Sequence, residues 1–157
     1  LLNVYGPGQR LFPVRKAVPM FIAQALLNAP LELYGDGTQP VDLLYVHDVA
    51  RVIVDFVGLD APLSCTYEMN AIASLSVNTL AQTIIADTNS RSDIVYLPLR
   101  RGETPRAHFT RCTDVSTLLS HTTQVALDEG LRKTVAWYAA LPRDYLSSAV
   151  GHFDDDN

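Results

Sequence analysis

The sequence has little of what metal and disulfide sites are built from. Only two cysteines occur among 157 residues, and Cys65 and Cys112 stand far apart with no second pair beside them. Free thiols are therefore expected, with a disulfide between the two as the alternative. The four histidines form no pair at i and i+4, so we interpret them as surface or loop residues rather than ligands or bases. The sequence predicts no metal site.

Long apolar runs and an excess of basic residues are also missing. No stretch approaches the length of a membrane span, and no signal-peptide pattern is present, so we expect a cytoplasmic protein without a membrane partner. Twelve Lys and Arg face seventeen Asp and Glu, which gives a formal net charge of -5. Proteins that bind nucleic acid usually carry a basic patch, so this balance argues against such a partner.

The motifs of common catalytic sites are absent as well. There is no G-x-G-x-x-G run to cradle the phosphates of a dinucleotide, and no G-x-S-x-G nucleophile elbow. The pairs Gly6-Pro7-Gly8 and Gly35-Asp36-Gly37 are too short for such a cradle and are typical of turns. The sequence therefore predicts no catalytic residue, and no cofactor for this chain alone.

What the chain does have is a regular alternation of apolar runs and helical periodicity. Apolar residues at i, i+3 and i+4 predict amphipathic helices, and short apolar runs between Gly and Pro predict buried strands. With 48% hydrophobic residues the chain can bury a core, and the alternation predicts an α/β fold. The predicted strands are 1–5, 31–34, 43–46, 66–70 and 94–97, and the predicted helices begin near Val18, Val49, Ser76, Asp114 and Leu127, the last one ending at Pro142.

Two adjacent arginines in a loop are candidates for an anion site. Arg100 and Arg101 follow the strand that Pro98 ends, and arginine forks match phosphate oxygens in two contacts. Such a pair could clamp a diphosphate. From spacing alone, a solvated basic loop is the favoured interpretation of the pair.

Five segments, in order, resemble a known family. They are similar to motifs of the NAD-dependent epimerase/dehydratase family, the extended short-chain dehydrogenases/reductases that act on nucleotide sugars. The ordered set extends from Asn3 to Tyr138, and its segments read NVYGP at 3–7, PLELYGDGTQ at 30–39, YVHDVA at 45–50, RRGE at 100–103 and LDEGL at 127–131, the last followed by Thr134, Val135, Trp137 and Tyr138.

The resemblance implies a fold and a site that spacing alone does not give. It implies the C-terminal part of an extended Rossmann-type fold with the small substrate-binding lobe, over residues 1–145, and we interpret 146–157 as a flexible acidic tail. Asn3 would touch the substrate diphosphate or sugar, and Arg100 would reach the nucleotide phosphate or ribose. The strand with Leu33 and Tyr34 would lie against the nucleobase. The cofactor, NAD or NADP, and the Tyr-x-x-x-Lys catalytic pair would belong to a Rossmann half that this chain lacks.

One departure from the family pattern bears on the site. The family often has an arginine after the glycine turn that binds the diphosphate, whereas this chain has Val41 there. Arg10 or Arg101 could compensate for it. Two interpretations therefore stand: the substrate-binding half of an enzyme that transfers hydride transiently at a sugar carbon, or a non-catalytic module or relic that works with a separate Rossmann half. In either case the implied partners are a nucleotide sugar and the missing half, and a homo-oligomer is expected.

Overall fold

Strands and helices alternate along the chain in a computed structural model, which describes residues 3–59, 66–71, 74–99, 113–119 and 125–152. Within these ranges the strands are β1 Asn3–Tyr5, β2 Leu31–Tyr34, β3 Pro40–Tyr45, β4 Tyr67–Glu68, β5 Ser74–Ser76, β6 Ile94–Leu97 and β7 Thr113–Asp114. The helices are α1 Ala17–Leu27, α2 Val46–Val57, α3 Val77–Asp87, α4 Leu127–Ala139 and α5 Arg143–His152, with a 3-10 turn at Val115–Thr117.

The strands form three small sheets that are mostly parallel. The first has the order β1-β3-β5, with β1 parallel to β3 and β5 antiparallel to it. The second pairs β2 with β6 and the third pairs β4 with β7, both in parallel. Parallel pairs need crossover connections, and α1, α2 and α3 lie in these connections. The α/β fold class predicted from the sequence is confirmed.

A large hydrophobic cluster lies between α1 and the helices α3, α4 and α5. Helix α1 is buried from Val18 to Ala25 and contacts all three of those helices and β2. Tyr5 and Tyr45 extend the cluster to the β1–β3 sheet, and their rings meet edge to face at 5.7 Å. A second, smaller cluster under α2 contains Leu44, Val49, Val52, Met69, Val115 and Leu119.

A glycine allows α4 to lie directly on the first sheet. A Cβ at Gly130 would overlap the Tyr5 hydroxyl and come within 3.1 Å of the Tyr45 ring. The Tyr5 hydroxyl donates to the Leu127 carbonyl at 3.5 Å, and burial raises its pKa, so it stays protonated as the donor. The glycine of the LDEGL segment is therefore required by packing.

Three of the predicted helix ends agree with the capping contacts, whereas α2 begins at Val46, before the predicted Val49, and α4 ends at Ala139, before the predicted Pro142. The Ser76 hydroxyl accepts from the Thr79 N–H at the start of α3, and an Asp114 carboxylate oxygen accepts from the Ser116 N–H before the 3-10 turn. Asn28 ends α1 in the left-handed region at φ 55°.

The C-terminal end differs from the prediction. Residues 146–152 were expected to be a flexible tail, but α5 continues to His152, and Leu146 and Ala149 are buried against α1. The expectation is therefore wrong for these residues, because an apolar face in 143–152 is covered by the core. The acidic residues Asp154, Asp155 and Asp156 lie outside the described residues.

Candidate functional site

A cavity of about 280 Å³ lies where β1 and β3 meet the beginning of α1. Asn3 lines it from the first strand, and its side chain makes no hydrogen bond to any other described residue. Val41 and Leu43 line it from β3, and Gln9 and Lys16 from the loop between β1 and α1. The cavity therefore brings together Asn3 and Val41, which the motifs place 38 positions apart.

Lys16 and the first turn of α1 give this cavity a positive end. Lys16 is the N-cap residue of α1, and no described carboxylate pairs with it. The Ala17 and Val18 N–H groups precede the first intrahelical bond, which Met20 donates to the Lys16 carbonyl at 3.1 Å. The first turn contains no acidic residue. A helix start of this kind favours an anion, and a lysine beside it adds a full charge.

The loop that carries Lys16 is held over the first sheet by three contacts. The Gln9 side-chain amide donates to the Val4 carbonyl at 3.1 Å, and its backbone carbonyl accepts from the Tyr138 hydroxyl. The Gln9 N–H donates to the Gly6 carbonyl at 3.4 Å. These bonds fold residues 6–16 back, so that Lys16 returns to the cavity next to Asn3.

A second cavity, of about 190 Å³, adjoins the first. Lys16 and Ala17 line both cavities, while Tyr34, Gln39, Arg15 and others line only the second. The Gln39 side chain donates to the Tyr34 carbonyl at 2.8 Å. Tyr34 thus lies beside a cavity. Leu33, its neighbour on β2, is fully buried in the large hydrophobic cluster.

Of the two residues suggested to replace the missing arginine, the structure describes Arg10, which does not line this cavity. Arg10 lines a different cavity, of about 590 Å³, with Phe12, Pro13, Tyr145 and Ser148. Arg100 and Arg101 lie outside the described residues. Among the residues that the structure describes, the cation that lines the cavity with Val41 is Lys16, which the sequence analysis missed. Its signal was its position directly before a predicted helix, where a serine or aspartate is more usual.

The aspartate of the YVHDVA segment has a structural environment. Asp48 is 2% exposed, and its two carboxylate oxygens accept from the Val125 N–H at 2.8 Å and from Arg51 at 2.7 Å. It joins the start of α2 to the segment before α4. Of the four histidines, His47 is exposed with its ring against Tyr45, and the described part of the chain contains no group of three metal-ligating residues.

Three glycines in the described turns have close contacts within the protein. A Cβ at Gly6 would meet Val46, one at Gly35 would meet Leu99, and one at Gly37 would overlap Asn78. A Cβ at Gly8 would meet nothing within 4 Å.

None of the helices in the described ranges has both the length and the hydrophobicity that a bilayer crossing demands. Together, the α/β fold and the parallel strand pairs are those of the Rossmann-related class. The two adjoining cavities lie next to strand ends and a helix start, where α/β folds commonly bind ligands.

Comparison with known proteins identifies the family. Residues 1–59 match the model of the NAD dependent epimerase/dehydratase family. The dTDP-glucose 4,6-dehydratase of Salmonella typhimurium is 33% identical over 146 residues, covering 88% of this chain and 39% of that protein. The UDP-N-acetyl-alpha-D-glucosaminuronate decarboxylase of Bacillus cytotoxicus is 26% identical over 149 residues, covering 90% of this chain and 46% of the relative.

Solved structures agree. The UDP-glucose 4-epimerase of Thermotoga maritima, solved with UDP-glucose, is 25% identical with a TM-score of 0.73, covering 87% of this chain and 43% of that one. The UDP-glucuronic acid 4-epimerase of Bacillus cereus, solved with UDP-glucuronic acid and NAD, is 25% identical with a TM-score of 0.75, covering 87% and 42%.

The predicted resemblance to the NAD-dependent epimerase/dehydratase family is therefore confirmed, and the chain is a relative of nucleotide-sugar dehydratases and epimerases. It spans about two fifths of the length of the curated relatives that it matches.

Proposed function

We propose that this chain is the nucleotide-sugar-binding portion of an NAD-dependent nucleotide-sugar epimerase or dehydratase. The observation that carries the proposal is the cavity shared by Asn3, Lys16 and the free N–H groups at the start of α1. An amide, an ammonium group and a helix start are suited to phosphate oxygens. The adjoining cavity is lined by Tyr34, whose aromatic ring and backbone could lie against a nucleobase.

In this proposal the ligand extends across both cavities. The diphosphate lies at Asn3 and Lys16, and the nucleoside extends past Ala17 towards Tyr34. Arg100 remains a proposed contact to the phosphate or ribose. The hydride transfer at a sugar carbon, and the NAD that accepts and returns the hydride, belong to the whole enzyme. The Rossmann half supplies these groups, whether it is in the same polypeptide or a separate one.

A second candidate function is supported by Val41. A hydrophobic side chain stands in the cavity where the family pattern has an arginine, so the site carries one fewer charge for a diphosphate. A non-catalytic module or relic that works beside a separate Rossmann half would have the same cavities with weaker affinity. The affinity for a nucleotide sugar therefore separates the two functions.

The Lys16→Ala variant is expected to weaken the binding of UDP-glucose by about tenfold, because one charged hydrogen bond to phosphate contributes about 1.5 kcal/mol. Titration calorimetry of the chain with UDP-glucose and dTDP-glucose measures this. Lys133→Ala is the matched control, since Lys133 is an exposed lysine paired with Glu129 on α4. NAD is expected not to bind tightly to either variant or to the unaltered chain.

Equal affinity of the Lys16→Ala and unaltered chains for UDP-glucose would remove Lys16 from the site. Micromolar, 1:1 binding of NAD to the chain would contradict the assignment of the cofactor to another portion. Absence of binding by any nucleotide sugar would contradict the proposed function itself.

The chain is also expected to self-associate. Helix α2 exposes an apolar stripe of Ile53, Val54 and Val57, whose exposed fractions are 53%, 69% and 83%. Strand β1 lies at an edge of its described sheet, with β3 on one side. Exposed apolar stripes and open strand edges recruit partners. Light scattering after size-exclusion chromatography should show species larger than 17.3 kDa.

The double substitution Val54→Glu and Val57→Glu should shift these species towards the monomer, because it places charges in the stripe. Ala136→Glu, at an exposed position of α4, is the control. A stable monomer of the unaltered chain at high concentration would show that neither the stripe nor the β1 edge needs a partner.

A further inference from the structure

The cavity of about 590 Å³ is separate from the two cavities proposed for the nucleotide sugar. It is lined by Arg10, Phe12, Pro13, Tyr145 and Ser148, and none of these residues lines either of the other two. We call it the Arg10 cavity. Its volume lies within the range of about 300–1,000 Å³ that small-molecule sites occupy in proteins. The Arg10 cavity therefore has the size of a second binding site.

One wall of the Arg10 cavity is aromatic and is supplied by two elements. The rings of Phe12, from the loop after β1, and Tyr145, from α5, lie 5.5 Å apart at an angle of 57°. Helix α5 is anchored at this point, since Leu146 and Ala149 are buried in the large cluster against α1. Tilted rings at this distance form a surface against which a further ring packs favourably. The wall is thus suited to an aromatic group.

Arg10 gives the Arg10 cavity one positive charge. Its side chain is exposed and makes no ion pair or hydrogen bond with any described residue. The described residues that line the cavity include this one cation and no carboxylate. A guanidinium donates two parallel hydrogen bonds to a carboxylate, and a single positive charge is balanced by a single negative one. The charge therefore favours a monoanion.

The remaining polar side chain of the lining does not compete for that anion. Ser148 lies three positions after Tyr145 on α5, so the two side chains share a face of the helix. The Ser148 hydroxyl donates to the Tyr145 carbonyl at 2.9 Å, so its hydrogen is already used. Arg10 is therefore the anion-binding group of the cavity, and the aromatic wall binds the apolar part of the same molecule.

We propose that the Arg10 cavity binds a small aromatic carboxylate, whose ring packs on Phe12 and Tyr145 and whose carboxylate accepts hydrogen bonds from Arg10. The site goes beyond the proposed function, because it requires neither a nucleotide sugar nor the Rossmann half. The ligand is held by one charged contact at an exposed arginine and by one ring contact. A small ligand held in this way is expected to have a dissociation constant on the order of 1 mM.

The test titrates the full chain, labelled with nitrogen-15, with 3-phenylpropionate and follows the backbone amide signals by NMR. The largest shifts are expected at Arg10, Phe12, Tyr145 and Ser148. The uncharged 3-phenylpropanamide should bind about fivefold more weakly, because it lacks the charge but keeps the ring. Propionate keeps the charge but lacks the ring, and it should also bind about fivefold more weakly or less.

Arg10→Gln should weaken 3-phenylpropionate about fivefold and leave 3-phenylpropanamide within about twofold, so that the preference for the acid disappears. Tyr145→Leu should weaken both compounds equally, by about threefold, because it removes one ring of the wall. Arg91→Gln is the control, since Arg91 is an exposed arginine before β6 and its loss changes the net charge equally. Thermal melts establish that each variant is folded.

Several results would overturn the proposal. Equal affinity of the unaltered chain for 3-phenylpropionate and 3-phenylpropanamide would show that no charge is recognised. Equal weakening of 3-phenylpropionate by Arg10→Gln and Arg91→Gln would show that only the overall charge matters. Tighter binding of phenyl phosphate than of 3-phenylpropionate would show that the site takes a phosphate and not a carboxylate.

A titration in the presence of UDP-glucose separates this inference from the proposed function. The affinity for 3-phenylpropionate should be the same with and without UDP-glucose, because the cavities share no lining residue. Displacement of 3-phenylpropionate by UDP-glucose would place it in the nucleotide-sugar cavities and overturn the inference. If the chain binds 3-phenylpropionate as described but no nucleotide sugar, the proposed function falls and the Arg10 site stands.

Discussion

The Val41→Arg variant is expected to bind UDP-glucose about ten- to a hundredfold more tightly than the unaltered chain. Val41 lines the cavity that Asn3 and Lys16 share, at the position where the family pattern has an arginine. A charged hydrogen bond to phosphate contributes about 1.5–3 kcal/mol, which is one to two decades of affinity. Titration calorimetry with UDP-glucose measures the change.

The control for this gain is Val41→Gln, which adds a long polar side chain without a charge. Val41 also packs against the large cluster, so a thermal melt of each variant shows whether the core is kept. An affinity that rises with arginine but not with glutamine supports a diphosphate in this cavity. Unchanged affinity in a folded Val41→Arg variant would place the diphosphate elsewhere.

Asp48→Ala is expected to lower the free energy of unfolding by on the order of 3 kcal/mol. The substitution leaves the partly buried Val125 N–H without its acceptor, and a donor that loses its partner in a buried site costs about 1–3 kcal/mol. It also removes the pairing with Arg51. Since domains are stable by about 5–15 kcal/mol, a loss of this size is a large fraction of the total.

Urea denaturation measures the effect, and two variants bracket it. Asp48→Asn keeps one oxygen acceptor and should lose less than Asp48→Ala. Asp128→Ala removes an aspartate that also pairs with an arginine, but on an exposed face of α4, where such pairs contribute little. A similar loss for Asp128→Ala and Asp48→Ala would show that burial of Asp48 is not what stabilises this segment.

The elements predicted best are those whose ends have a local chemical cause. β2 and β6 have the predicted bounds, because Gly35 and Pro98 follow two short apolar runs. Strand β5 was not predicted, since Ser74–Ser76 is short and polar and pairs only because β3 begins at Pro40. Helix α5 was missed because its short apolar face stands beside an acidic C-terminal sequence.

The residues of the candidate site also fall into two groups, those that a local sequence pattern predicts and those that it does not. Asn3, Tyr34 and Val41 belong to the family motifs, so the sequence alone indicates them as site candidates. Lys16 and Arg15 do not belong to them, and their proximity to the site depends on how the loop folds back over β1. Contacts such as that between the Tyr138 hydroxyl and the Gln9 carbonyl join residues 129 positions apart, and no local pattern reports them.

The close contact between Gly130 and Tyr5 also affects the entropy of binding. Strand β1 is held between β3 and α4, so the backbone under Asn3 is fixed before any ligand arrives, and ordering the short Asn3 side chain costs little. Lys16 differs, since a long lysine side chain loses up to about 2 kcal/mol of rotamer freedom when it is immobilised. An arginine at position 41 would stand on an ordered strand, but its long side chain would lose a similar amount of rotamer freedom on contact with phosphate.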